Sequence, residues 1–273
     1  YYGLAYDLRN LAMTRVKQNK PREAEKLFLK AIEISETLKD PYNLAQSLLS
    51  LASLPNIEKE KQLSSLKKAT QLSNEYGLAG VLWKALYRLA QLYENKGALP
   101  KARHLYKLSS KVASQTQAQS TTSQRELTPK ALRNSAIDFM LKHGHLLDAL
   151  NLEEGFRQTH INLTLKALGK EIQEESQHAR ETLQKEIQQA ISKNTEKPFK
   201  PTNTAHWLRH LQTKLAPTSA IFYLIDTDHS LHRIVVTREN LSATSIPIAP
   251  NQQHVLRTLA TGVHGDLPSK KYH

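Results

Sequence analysis

The stretch WKALYRLAQLYENKGALPKARHLYKLSSKVA, Trp83 to Ala113, decides how the rest of the chain is read. Leu86, Leu89, Ala90 and Tyr93 recur at steps of one, three and four residues, the spacing with which a helix buries one stripe. Asn95-Lys96-Gly97 interrupts the pattern, and Gly97 suits the left-handed turn that ends many helices. Beyond it, Ala102, Tyr106 and Ser109 mark the buried side of a second helix, with small residues that let the two helices approach closely. The spacing predicts a pair of amphipathic helices joined by a tight turn.

The same device recurs upstream. Leu11, Leu49 and Leu89 are separated by 38 and 40 residues, and Ala31, Ala69 and Ser109 repeat those steps. A first copy has Leu8, Leu11 and Ala12 on its stripe, a turn at Gln18-Asn19-Lys20-Pro21, then Ala24, Phe28 and Ala31. Asn19 stands where Gly97 stands, and Asn tolerates the left-handed region; Pro21 suits a first helical turn. A middle copy keeps Leu49, Leu66 and Ala69 but puts Gln62 where the others have Ala24 and Ala102. A fourth copy is expected from Leu132 to Phe156, with Ala136, Ile137, Met140, Gly144 and Ala149. It is displaced by SQTQAQSTTSQRELTPK (114–130), a polar stretch read as a mobile loop. The small–aromatic–small signature of the second helix resembles the tetratricopeptide repeat in its longer variants. That resemblance implies a mainly α fold, a helical-hairpin solenoid whose concave face binds peptides or partner proteins. The plain alternative is a helical bundle with chance periodicity.

The net charge is +13, and it is uneven. Residues 76–115 carry seven Lys or Arg (Lys84, Arg88, Lys96, Lys101, Arg103, Lys107, Lys111) against Glu94 alone. Such a stripe either attracts anionic partners or is a solvated helix face. Aromatic residues do not interleave with it as a base-stacking platform needs, which argues against nucleic acid. Tetratricopeptide proteins that grip a peptide carboxylate use basic residues on their first helices. Arg9, Lys84 and Arg88 occupy comparable faces and are the partner-binding candidates, suited to an acidic peptide. Met13 and Leu48 stand where the clamp asparagines would be, so the full clamp is not implied.

From Leu146 helix formers dominate, and Ile172, Ala179, Leu183, Ile187 and Ala190 form a short coiled-coil-like seam expected on spacer helices. KNTEKPFKPTNT (193–204) marks a boundary. After a helix containing His206, Trp207, Leu208 and Leu211, the class changes. Ala220–Ile225, Leu231–Thr237 and Leu241–Ile248 read as three strands, and a helix with Val255, Leu256 and Leu259 is expected from Asn251. The first strand is apolar on both faces, as a central strand would be. Three strands and one helix make a poor core alone, so the segment reads as the truncated start of an α/β domain. The expected order is repeats over 1–113, the loop over 114–130, a fourth hairpin and coiled spacer over 131–197, and the α/β segment over 198–273.

That order resembles the bacterial CHAT family, which appends a caspase- and separase-like domain to tetratricopeptide repeats. The matching residues are Glu153, Glu154 and Arg157 before the domain, Ile221-Phe222-Tyr223-Leu224 in the first strand and Val235-Val236-Thr237-Arg238 in the second. The resemblance implies a solenoid that regulates, or presents substrate to, a downstream cysteine-peptidase-like unit in the cytoplasm. The alternative is a non-catalytic adaptor or scaffold. No catalytic residue is assigned: the family dyad needs Cys, this chain has none, and His264-Gly265 follows no apolar strand. Zero Cys also excludes disulfides, thiolate zinc sites and iron–sulfur clusters within the chain. His206 and His210 lie four apart without the general-base Glu or a third ligand, and His143-Gly144-His145 sits in a turn; neither supports a metal site. No phosphate or dinucleotide glycine motif occurs, so no cofactor is expected. No apolar run approaches the roughly 20 residues of a membrane span.

Overall fold

The computed structural model describes residues 2–119, 130–167, 177–192, 205–228 and 230–248, and among them ten helices and three strands. None of these helices is long and apolar enough to cross a membrane. The first six are α1 (Tyr2–Lys17), α2 (Pro21–Thr37), α3 (Pro41–Ala52), α4 (Lys59–Glu75), α5 (Ala79–Asn95) and α6 (Leu99–Gln119). Pro21 and Pro41 open α2 and α3, where a missing N–H costs nothing. Asp40 caps α3 by accepting from the Asn43 N–H at 3.0 Å.

The turns between helices share one design. Asn19, Lys39, Gly77 and Gly97 all have positive φ, from 52° to 74°. After α1, Lys20 N–H reaches back to Arg15 O and Asn19 N–H to Val16 O, both at 2.9 Å. The same two bonds recur after α2, from Asp40 to Ser35 and Lys39 to Glu36, and after α5, from Ala98 to Tyr93 and Gly97 to Glu94. This double bond satisfies the last carbonyls of a helix and reverses the chain in about three residues. The left-handed turn expected at Asn19 and Gly97 is therefore present, and Lys39 adds one that its residue type did not announce.

Among these six each helix packs against the next, and α1 also touches α3 and α3 touches α5. In the third pair Tyr106 meets Glu94 and Ser109 meets the Trp83 carbonyl, which makes α5 and α6 antiparallel. Ala12, Ala24 and Phe28 are fully buried in one cluster with Leu51 and Leu54. Second helices lie side by side and run the same way, because Glu25 pairs with Lys61 and Glu36 with Lys68. Gln62, the odd residue of the middle copy, donates to the Ala52 carbonyl at 2.9 Å; it satisfies the end of the short α3 instead of packing as a small residue would.

Two compact units divide the chain: Tyr1–Ala136 with Leu152–Lys200, and Ile137–Asn151 with Pro201–His273. In the first, α9 (Gln177–Ser192) lies on α4 and α6, burying Leu183 and Ile187, with Asn74 donating to the Gln184 carbonyl. The seam expected on a spacer is thus covered by the second helices of the repeats, and Ile172 falls outside the described residues. The ends of α7 (Lys130–Lys142) and α8 (Leu146–Ala167) that belong to this unit are joined by Arg133, which contacts buried Glu153 at 2.7 and 2.9 Å. Glu153 therefore has a local packing role.

The second unit contains the α7–α8 turn, where Gly144 has φ 74°, together with α10 (Ala205–Lys214) and an antiparallel meander. Its strands are β1 (Ala220–Asp226), β2 (Ser230–Thr237) and β3 (Leu241–Pro247), within about a residue of the expectation. One face buries Tyr223, Ile225, His232, Ile234 and Val236, while Phe222, Leu224 and Ile246 of the other are more than 60% exposed.

Three expectations are corrected. The loop expected at 114–130 is helical through Gln119, because its first residues contain no Pro or Gly to stop α6; residues 120–129 lie outside the described residues. β1 is an edge strand, not a central one, since it pairs only with β2 among the described strands. Leu11 is 43% exposed although Leu49 and Leu89 are buried, because α3 and α5 each follow another helix pair and α1 has none before it among the described residues. The boundary near 198 and the helix expected from Asn251 fall outside the described residues.

Candidate functional site

The first helices present the sequence-selected cations. Arg9 on α1 extends its guanidinium over the Tyr6 ring, 5.2 Å from the centroid, and donates to Asn43 Oδ1 on α3 at 3.4 Å. Asn43 is in turn bound to Asp40, whose Oδ2 accepts from Nδ2 at 2.7 Å, so the charge of Arg9 faces a helix start that already carries a carboxylate. On α5, one turn separates Lys84 from Arg88. Lys84 lies 5.3 Å from the Trp83 ring centroid, a cation–π distance. Arg88 is exposed and donates to Gln91 Oε1 at 3.3 Å.

Gln91 continues this polar row to the Tyr87 hydroxyl at 2.9 Å, and Tyr87 reaches Ser135 on α7 at the same distance. The start of α7 is thus tied to α5. The structure brings Lys84 and Arg88 together on α5 and places Arg9 two first helices away, with Tyr6, Met13 and Tyr42 exposed on α1 and α3. Leu48, one of the two positions where a clamp asparagine was sought, is 5% exposed and belongs to the core. The arrangement places two of these cations, Arg9 and Lys84, against aromatic rings on the first helices.

A cleft of about 660 Å³ opens elsewhere, between the α1–α2 turn and the α3–α4 connection, lined by residues including Lys20, Glu23, Glu25 and Ile57. Its carboxylates are paired: Glu23 with Lys20 and Arg15, and Glu25 with Lys61. It contains none of the predicted site residues. His104 on α6 is partly buried, and its pKa is lowered from 6.5 by that burial, against the opposing pull of Glu186 on α9.

In the second unit the structure reveals a polar cluster that sequence reasoning missed. His232 is 3% exposed on the covered face of β2. Its Nε2 lies 2.7 Å from Asp138 Oδ1 and its Nδ1 2.8 Å from Ser245 Oγ. The Thr227 hydroxyl donates to the same Asp138 oxygen at 2.8 Å. A signal was present, since His232 alternates with Ile234 and Val236 and so shares their inward face, but its partner is 94 positions away. His143 is held against the Phe139 ring with centroids 4.7 Å apart. Among the described residues no group of three or more His, Asp or Glu side chains is placed to hold a metal ion. No protein-family model matches the chain, and no curated protein is recognisably similar to it.

Proposed function

We propose that the helix pairs form a docking arm of the tetratricopeptide type that receives an acidic peptide or partner protein on its first-helix face. The register of the contacts between pairs supports this reading. Arg9 and Asn43 are 34 positions apart, Lys61 and Glu25 are 36 apart, and Lys68 and Glu36 are 32 apart. Equivalent helices of successive pairs are thus neighbours, as stacked hairpins require. On this reading the face holding Arg9, Lys84 and Arg88 meets the partner, and the strands after α10 open a CHAT-like, cysteine-peptidase-like unit that the arm regulates or supplies. A non-catalytic adaptor that assembles other proteins on the same face is the second reading, since the cations, rings and helix register that carry the arm need no catalytic unit.

Peptide-display selection on the chain, followed by calorimetry, tests the arm. Selected peptides should be rich in Asp and Glu. Lys84→Glu with Arg88→Glu should weaken them about tenfold at low salt, with less effect in 0.5 M salt, as expected for surface charges worth about 0.7 kcal/mol each. Unchanged affinity would place the docking surface elsewhere. A longer reading frame lacking a His-Gly strand end and a Cys strand end would remove the peptidase part and leave the adaptor.

A further inference from the structure

We propose that Ser245 is an activated nucleophile that accepts acyl groups from small esters, with His232 as its base and Asp138 as the positioning residue. The argument begins with donors and acceptors. An ionised carboxylate only accepts, so Asp138 Oδ1 at 2.7 Å draws the hydrogen of a neutral imidazole onto Nε2. The lone pair is then on Nδ1, which faces Ser245 Oγ at 2.8 Å. The Thr227 hydroxyl donates to the same carboxylate oxygen, fixing it from the β1–β2 turn. The ring is therefore oriented from α7, the turn and β3 together. His232 is almost fully buried, whereas Ser245 is exposed. A buried base behind an accessible hydroxyl is the arrangement that activates serine for acyl transfer.

Sheet register adds an oxyanion donor. Thr237 N–H donates to Asn240 O, and hydrogen-bonded pairs alternate along an antiparallel ladder. His232 and Ser245 face each other in a non-hydrogen-bonded pair, where side chains stand closest. That parity turns the Ser245 N–H away from β2, toward the outer edge of β3, where no further described strand pairs. The nucleophile's own N–H is thus free of the ladder and near the hydroxyl, able to meet the oxygen of an attacked carbonyl.

In the first half-reaction the Ser245 Oγ–H proton passes to His232 Nδ1 as the Oγ–acyl bond forms. The ester C–O bond breaks and the leaving alkoxide takes the proton from Nδ1. In the second, water gives its proton to Nδ1 and its oxygen to the acyl carbon, and Ser245 leaves with that proton.

The chain has no cysteine, so Ser245→Cys places one thiol at the site and nowhere else. Its alkylation by iodoacetamide at pH 6 should be at least tenfold faster than in the same variant carrying His232→Gln, because an ordinary thiol, with pKa about 8.5, is almost wholly protonated there. Asp138→Asn should move the pH–rate profile back toward the ordinary thiol, a shift that loss of packing alone would not produce, with circular dichroism checking that each variant is folded. In the unmodified sequence, p-nitrophenyl acetate should leave an acetyl group on Ser245, absent with His232→Gln. A thiol with an ordinary profile, a thiol that reacts only after unfolding in urea, or no acetyl group on Ser245 would each overturn the proposal.

Discussion

Exchanging a matched pair of residues between repeats tests the stacked geometry directly. In the third pair, Tyr106 is 1% exposed and its hydroxyl donates to Glu94 Oε2 at 2.7 Å. Seventy-eight positions upstream, Phe28 and Val16 occupy the corresponding places, with Phe28 fully buried and Val16 packed on the same cluster. Phe28→Tyr alone puts a hydroxyl into that cluster with no acceptor, at a cost of about 1–3 kcal/mol. Val16→Glu alone removes half-buried methyl groups, at about 1 kcal/mol. Together they should recreate the hydrogen bond to a charged group, worth about 1.5–3 kcal/mol. The double variant should therefore be more stable than the sum of the singles by about 2 kcal/mol, within the range seen for directly touching residues. Urea unfolding followed by far-ultraviolet circular dichroism, on all four proteins, measures that coupling. A coupling below about 0.5 kcal/mol would mean that the first and third pairs do not share a geometry, and the docking-arm reading would fall with it.

Two further predictions concern backbone and pH. Lys39 is held at φ 52°, a conformation that costs a residue with a Cβ roughly 1 kcal/mol, so Lys39→Gly should raise stability by about 0.5 kcal/mol once glycine's extra unfolded freedom is subtracted. Gly97→Ala, at φ 74°, should lower it by about 1–2 kcal/mol; urea midpoints that stay unchanged or move the other way would refute the assignment of left-handed strain to these turns. Burial lowers the pKa of His104, so the native chain resists a proton that the unfolded chain accepts. The His104 contribution should be fully present above pH 6.5 and decline as the pH falls below it. His104→Gln should flatten the fall of the urea midpoint between pH 7.5 and 5, and an identical slope in both proteins would assign the fall to other groups.

The helix pairs were legible because helices are written locally. Apolar stripes such as Leu86, Leu89, Ala90 and Tyr93 follow from 3.6 residues per turn, and Asn19 and Gly97 mark helix ends by their own backbone preferences. The three strands were legible as apolar runs separated by the polar stretches Asp226–Ser230 and Arg238–Asn240, where bonds from Thr227 N–H to Ser230 O and from Thr237 N–H to Asn240 O close the turns. Arg9, Lys84 and Arg88 were recognisable as first-helix residues, but not the Tyr6 and Trp83 rings against which Arg9 and Lys84 rest.

Alone, then, the amino-acid order determined where most of the helices and strands run and that Asn19 and Gly97 reverse the chain, since each depends on neighbours within about five positions. Tertiary structure decided that β1 is an edge, that α9 lies on α4 and α6, and that Asp138, Thr227, His232 and Ser245 meet. Those outcomes depend on how separate elements pack. Apolar periodicity states that a face will be covered but not by what, and a hydrogen bond across 94 positions leaves no periodic trace in either of the segments it joins.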